Sequence, residues 1–394
     1  MKGFKRIAAP LLAAAMMLNC VPISSSAAKV CYLTYGGVRI AKMGSDGACY
    51  MLDMGTPDLN SRYLNILMKG NNSRTVVLPE GTFRMSSGIL MGSNKTLRAG
   101  TTKIILTDPQ KQLVRNDCTA TNYNSIKNVT IDGGLWYIVN NKDMLRDTST
   151  IRFNHGQNIT IKNATVYTNY RSHGIEIIAC KDITIKDCTV KCQGTPIEDR
   201  REEAVQIDVA TAKTAPTCAN YGSRYVAGQT CRNITIDGCT ITGSRALVCN
   251  RTDSENNRFA NCMHHNVTVK NCTLYGVTAE GLVLNNVHGF DVINNRMLSN
   301  NKNLSTNFSC GLSAMLFGID SDTATYRNHI RDNLIKGGKS SIIFSNYKCS
   351  AAKYGPTSIK NNRLYARAGA GSTLNISNTC ITRLETPYNR NFKW

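Results

Sequence analysis

Along most of the chain, aliphatic residues alternate with threonine in a recurring nine-residue phrase. Its clearest copy is Asp182-Ile183-Thr184-Ile185-Lys186-Asp187-Cys188-Thr189-Val190. Copies open at Asn128, Asn158, Asn233 and Asn266, and weaker echoes place Val292, Ile330, Ile359 and Ile376 at the position of Ile185. Within the phrase the apolar side chains share one face of a short strand, and the Asn, Asp or Gly pair that follows is turn chemistry. The aliphatic after the turn opens a second strand. A third strand precedes most phrases, as in 150–154, 174–178, 204–209, 281–285 and 341–345.

Three short strands per repeat cannot each bury an apolar face alone, so the repeats must stack. The spacing of the phrase is irregular, which fits coils of fixed skeleton carrying loops of variable length. The expectation is an all-β parallel β-helix solenoid. Equivalent third-strand residues then stand ~4.8 Å apart in neighbouring coils. Ile151/Phe153, Ile175/Ile177, Val205/Ile207 and Leu282/Leu284 are predicted to point inward, with Val283, Ile343 and Phe344 outward in the later coils.

The ends depart from the phrase. Lys2, Lys5 and Arg6, an apolar run from Ile7 to Leu18 and the small residues at Ser26-Ala27-Ala28 read as a secretory signal over 1–28, so the protein is expected outside the cell or on its surface. No further stretch is long and apolar enough to span a bilayer. Residues 29–56 have no assignment, and 57–394 form the solenoid domain, expected to be monomeric. Residues 57–68 have helical spacing and suit a short helix capping the first coil. Residues 384–394 lack the phrase and read as a cap on the last coil.

The formal charge is +21. For an exported chain this points to acidic polysaccharide or cell-wall glycan rather than nucleic acid. Of 16 cysteines, Cys188, Cys239 and Cys272 recur at one place in successive phrases and are expected to stack as small buried residues. Cys218 and Cys231 could close one long insertion as a disulfide.

A short helix, then the strand Val76-Val77-Leu78-Pro79-Glu80-Gly81-Thr82-Phe83, then Asn94-Lys95-Thr96-Leu97-Arg98-Ala99-Gly100 and the coils, resembles the pectin lyase-like superfamily over residues 57–381. That resemblance implies a right-handed parallel β-helix and a site on one sheet near long loops. It carries over no catalytic residue: the NTD, DD and GHG motifs of polygalacturonases are absent, as is the DPH motif of mannuronan epimerases.

Candidate chemistry lies on the outward face of the third strands. Glu176 and Asp208 are one coil and two residues apart, roughly 8 Å between Cα atoms. Two carboxylates at such a range serve glycoside hydrolysis, or equally hold Ca²⁺. Arg152, His155 or His173 could neutralise a uronate or abstract the proton beside its carboxylate. Asn154, Glu203, Gln206, Asn250 and Arg251 complete the patch as substrate-binding candidates. The expectation is an enzyme acting on a uronate-containing polysaccharide, lyase ahead of hydrolase or epimerase, with a non-catalytic glycan- or cell-wall-binding surface protein as the alternative.

Overall fold

The structure is a computed structural model of the 394-residue chain. It describes residues 17–20, 30–71, 74–109, 112–118, 120, 122–138, 149–197, 202–211, 214–215, 228–249, 259–319, 325–347, 349–377 and 380–394. The phrase folds as its alternation requires. Lys181–Lys186 pairs in parallel with Gly156–Lys162 on one side and Arg232–Asp237 on the other, with Ile185 level with Ile161 and Ile236. After the turn, Thr189–Gln193 pairs in the same way with Thr165–Asn169 and Thr240–Gly243. These first and second strands belong to one 24-stranded sheet, and the third strands form a separate ten-stranded sheet. The result is an all-β parallel β-helix.

Its core is the sum of the coils. Ile183, Ile185, Val190, Ile175 and Ile177 are all buried in one continuous hydrophobic cluster running the length of the solenoid. Each such side chain contributes about 1.5–3 kcal/mol by leaving water. The predicted inward pairs at 151/153, 175/177, 205/207 and 282/284 all belong to that cluster, but so does Phe344, which was expected outward. Its strand, Ser340–Asn346, sets Phe344 level with Ala314, one residue out of the anticipated alternation. Ile376 is also reassigned. It pairs with Phe344 in the third-strand sheet and is not a phrase position.

Turn polarity is satisfied by ladders. Asn163, Asp187, Asn271, Asn294, Asp332 and Asn361 all adopt positive φ, which short polar side chains tolerate best. Asn294 Nδ2 donates to Asn271 Oδ1 at 2.9 Å, and Asn271 Nδ2 to Asp237 Oδ1 at 2.8 Å. Beside this exposed ladder runs a buried one. The stacked Cys188, Cys239 and Cys272 are free thiols, and the Cys272 amide donates to Asn295 Oδ1 at 2.8 Å. Asn295, Asn333, Asn362 and Asn389 continue the column, each amide N–H donating to the next side chain. Cys218 lies outside the described residues, but Cys231 is a free, fully buried thiol and so not its disulfide partner, while Cys118 is disulfide-bonded.

Both ends are built differently from expectation in part. The capping helix Pro57–Lys69 is present, with Thr56 Oγ1 accepting from the Leu59 amide and Leu64, Leu67 and Met68 buried on the first coil. Within 29–56, antiparallel strands Cys31–Tyr35, Val38–Met43 and Cys49–Met51 form a meander that joins the first coil through Cys49 and Val76. Met17–Cys20, inside the expected leader, pairs with Cys31–Tyr35; the rest of the leader lies outside the described residues. At the far end, Leu384–Glu385 and Arg390–Lys393 are not a cap of new form but a further parallel coil, stacked on Thr357–Lys360 and Arg363–Ala366.

Candidate functional site

The third strands carry Arg152, Asn154, Glu176, Gln206 and Asp208 in the predicted register. Arg152 is level with Glu176, and Glu176 with Gln206. Asn154 is level with Ile178, and Ile178 with Asp208, so Glu176 and Asp208 are offset by one coil and two residues. One strand-start column adds what the sequence reading overlooked. Ser149 is level with His173, and Glu203 with Arg245, and the Glu280 carboxylate binds the Arg245 guanidinium.

These groups form a chain of alternating charge. The Arg152 Nε–H and the Ser149 hydroxyl both donate to Glu176 Oε2. His173 Nδ1 lies 3.0 Å from the Glu203 main-chain oxygen and 3.7 Å from its Oε2. Arg245 donates from Nη1 to Glu203 Oε1 at 3.1 Å and from Nε to Glu280 Oε2 at 3.0 Å. Burial works against charge on the His173 imidazole, but Glu176, Glu203 and Glu202 more than offset it and its pKa is raised. Burial likewise opposes the Arg245 charge, which Glu280 and Glu203 restore and strengthen.

Asp208 differs. Burial, then the neighbouring carboxylate of Glu176, pushes its pKa well above the ordinary carboxylate value; the Val209 amide and Arg152 pull the other way without prevailing. Its Oδ1 accepts from the Val209 amide at 2.7 Å and its Oδ2 from Gln206 Nε2 at 3.2 Å. Asp208 is thus held toward the neutral acid, one coil from a Glu176 that a guanidinium engages. Asn154 contributes its backbone to a clamp with Asn116, while its own side-chain amide has no hydrogen-bond partner among the described residues.

The patch is not the open groove that outward-facing residues imply. Arg152 is 3% exposed, Glu176 2%, Asp208 1% and Gln206 6%. Part of the cover is visible, since Ile178 and Ala179 on this face pack against Cys118, Ala210 and Ala215 in a second apolar cluster. His155 leaves the patch: it takes φ 50° at the strand end and its Nδ1 faces the Asn122 carbonyl at 2.9 Å. Asn250 and Arg251 lie outside the described residues.

For a cation, Glu176 and Asp208 are a poor pair, one already matched by Arg152 and the other held toward its neutral form. The donor atoms that do converge are those of His173, Glu202 and Glu203, all within 4.8 Å of one another. Glu203 there is shared with Arg245, whose charge competes with any metal.

The raised His173 pKa has a measurable consequence. A protonated His173 stabilises the fold fully below the unfolded value of about 6.5, and that contribution is lost as pH rises through the raised folded value. Unfolding free energy measured by urea titration is therefore expected to decline as pH rises above about 6.5. The His173→Gln variant should lose that slope.

No protein-family model matches the chain, and no curated protein matches it in sequence. Solved structures do. The Streptococcus pneumoniae surface protein and adhesin PfbA is 14% identical with a TM-score of 0.53, covering 87% of this chain and 98% of that one. A hyperthermoactive exopolygalacturonase from Thermotoga maritima is 13% identical with a TM-score of 0.51, covering 91% and 92%. The chain has the pectin lyase-like, right-handed parallel β-helix fold.

Proposed function

We propose that the protein is an exported enzyme that hydrolyses an acidic, uronate-containing polysaccharide, with Asp208 as the proton donor and Glu176 as the second carboxylate. The observation that carries this reading is the split between the two: a carboxyl pushed toward its neutral form one coil from a carboxylate matched by a guanidinium. A carboxyl held toward its neutral form beside a second carboxyl is the arrangement a glycosidase uses for its general acid. The unpartnered Asn154 amide, in the same column as Asp208, is a ready contact for a sugar hydroxyl. Burial of so many charges costs stability, and fold maintenance alone does not require it.

The same geometry argues against the lyase chemistry favoured by net charge. Elimination needs a base for the proton beside the uronate carboxylate, yet Arg152 is tied to Glu176 and His173 is biased toward its protonated form. A hydrolase releases reducing ends without the ultraviolet absorbance of an unsaturated uronate. Incubation with polygalacturonate, alginate and hyaluronan, followed in both channels, tests this; absorbance rising with reducing ends returns the reading to a lyase.

One observation favours a second reading. Apart from the part-exposed Arg245, the described members of the patch are nearly solvent-free and paired with one another, as in an internal brace. On that reading the chain is a non-catalytic glycan-binding protein, and Glu176→Gln leaves glycan retention intact with no turnover to lose.

A further inference from the structure

The second-strand face of the solenoid carries an unusual selection of residues. Buried Trp136, Val166, Val190, Ile241, Leu274 and Ile335 point inward there, so the alternate residues form two outward columns. One column runs Thr82, Lys103, Leu135, Thr165 and Thr189, then Thr240 and Thr273, and ends in Arg296, Leu334, Arg363 and Arg390. The other passes through Tyr137, Tyr167, Lys191 and Tyr275 to Lys336, Tyr365 and Phe392. Neither contains an aspartate or glutamate.

The contrast with the neighbouring face is direct. On the phrase strands, Lys162, Lys270 and Arg331 are each matched by an aspartate, at 3.2, 3.4 and 2.7 Å. On the second-strand face, Lys191, Arg296, Arg363 and Arg390 are exposed, and none is in an ion pair among the described residues. With ~4.8 Å per coil, the columns make a cationic ribbon on the order of 50 Å long, parallel to the solenoid axis.

We infer that this ribbon is a docking surface for an extended anionic polysaccharide lying along the solenoid. Charge complementarity identifies the partner as a polyanion, and the other side chains narrow its class. Tyr137 and Tyr167 stack on each other, centroids 4.2 Å apart and 17° between planes, and Tyr365 stacks on Phe392 at 4.7 Å and 16°. Each stacked ring has one face taken by its partner, and the Lys103 and Arg363 cations lie 5.0 and 5.9 Å from the ring centroids of Tyr137 and Tyr365. A single-stranded nucleic acid needs free ring faces for its bases. A row of threonine and tyrosine hydroxyls between cations instead suits a chain bearing many hydroxyls and a repeated acidic group. Repetition along the axis lets one polymer engage several coils at once, which raises avidity without any single strong contact. This inference rests on the preceding functional reading only for the substrate class, because the ribbon and the buried patch are on different sheets.

The test compares the full chain with Lys191→Glu/Arg296→Glu/Arg363→Glu and, separately, Glu176→Gln, by affinity electrophoresis through gels containing polygalacturonate. Circular dichroism and the thermal midpoint check that the exposed substitutions leave the fold intact. The ribbon variant is expected to bind at least tenfold more weakly, with wild-type affinity falling steeply as salt rises, while Glu176→Gln binds as wild type does. Equal binding by wild type and ribbon variant overturns the proposal, as does tighter binding to single-stranded DNA than to polygalacturonate. Loss of turnover with retained binding in Glu176→Gln, beside loss of binding in the ribbon variant, separates the two sites.

Discussion

Replacing Arg152 with alanine is expected to destabilise the protein by about 3–5 kcal/mol, among the largest effects of any single substitution in this chain. The guanidinium and Glu176 are both about 3% exposed, so removing the cation leaves a carboxylate in the interior without its guanidinium partner, still accepting from the Ser149 hydroxyl. The double variant Arg152→Met/Glu176→Leu removes both charges and fills the space, and should recover most of the loss. Urea denaturation of the two variants beside wild type measures this. If Arg152→Ala were no less stable than wild type, the pair would be solvated and the alternating chain would not be a buried unit.

Asp208→Asn is expected to act in the opposite sense on stability while abolishing turnover. An amide cannot deliver a proton, and loss of a general acid costs about 10²–10⁴ in rate. Because the Asp208 pKa is raised, its neutral form is the one the fold prefers. Its favourable contribution is fully present below the unfolded value of about 3.9 and is lost as pH rises through the raised folded value. The variant should therefore be at least as stable as wild type at neutral pH, with a flatter decline above about pH 4. Activity in wild type should fall as pH rises through the raised Asp208 value. A variant that hydrolyses as wild type does would remove Asp208 from the chemistry.

Much of this architecture was legible because a β-helix writes its skeleton as a local period. The alternation in Ile183-Thr184-Ile185 gives a strand with one buried face, and Asp187 after it gives a turn. Register then follows from counting, which is why Arg152, Glu176 and Gln206 fall level as anticipated. The same logic failed where the period weakens. Only three residues, Leu374–Ile376, form the strand of Ile376, too few to show whether it belongs to a phrase, and the alternation at Phe344 runs one residue out of the expected register.

The site was legible in membership more than in environment. Arg245 opens its strand and Glu280 stands two residues before Leu282–Asn285, outside the alternating core, yet for Arg245 the signal is present: it precedes Ala246-Leu247 as Glu203 precedes Ala204-Val205. Burial was not legible at all. Outward residues of a sheet face water unless another segment covers them, and the covering contacts, such as Cys118 with Ile178, join positions far apart in sequence with no shared period. The ordering of pKa values depends on that cover, so the preference for hydrolysis over elimination could come only from three dimensions.

The central claim is that the Glu176 and Asp208 patch cleaves an acidic polysaccharide with water. The most direct measurement is the mass of the products released from polygalacturonate, alginate and hyaluronan by the wild-type protein, with Asp208→Asn run beside it. The account predicts saturated oligosaccharides, each cleavage adding one water, from at least one of these polymers and none from the variant. Polymers left intact by wild type, while the protein is retained on them, would contradict it and establish the binding reading.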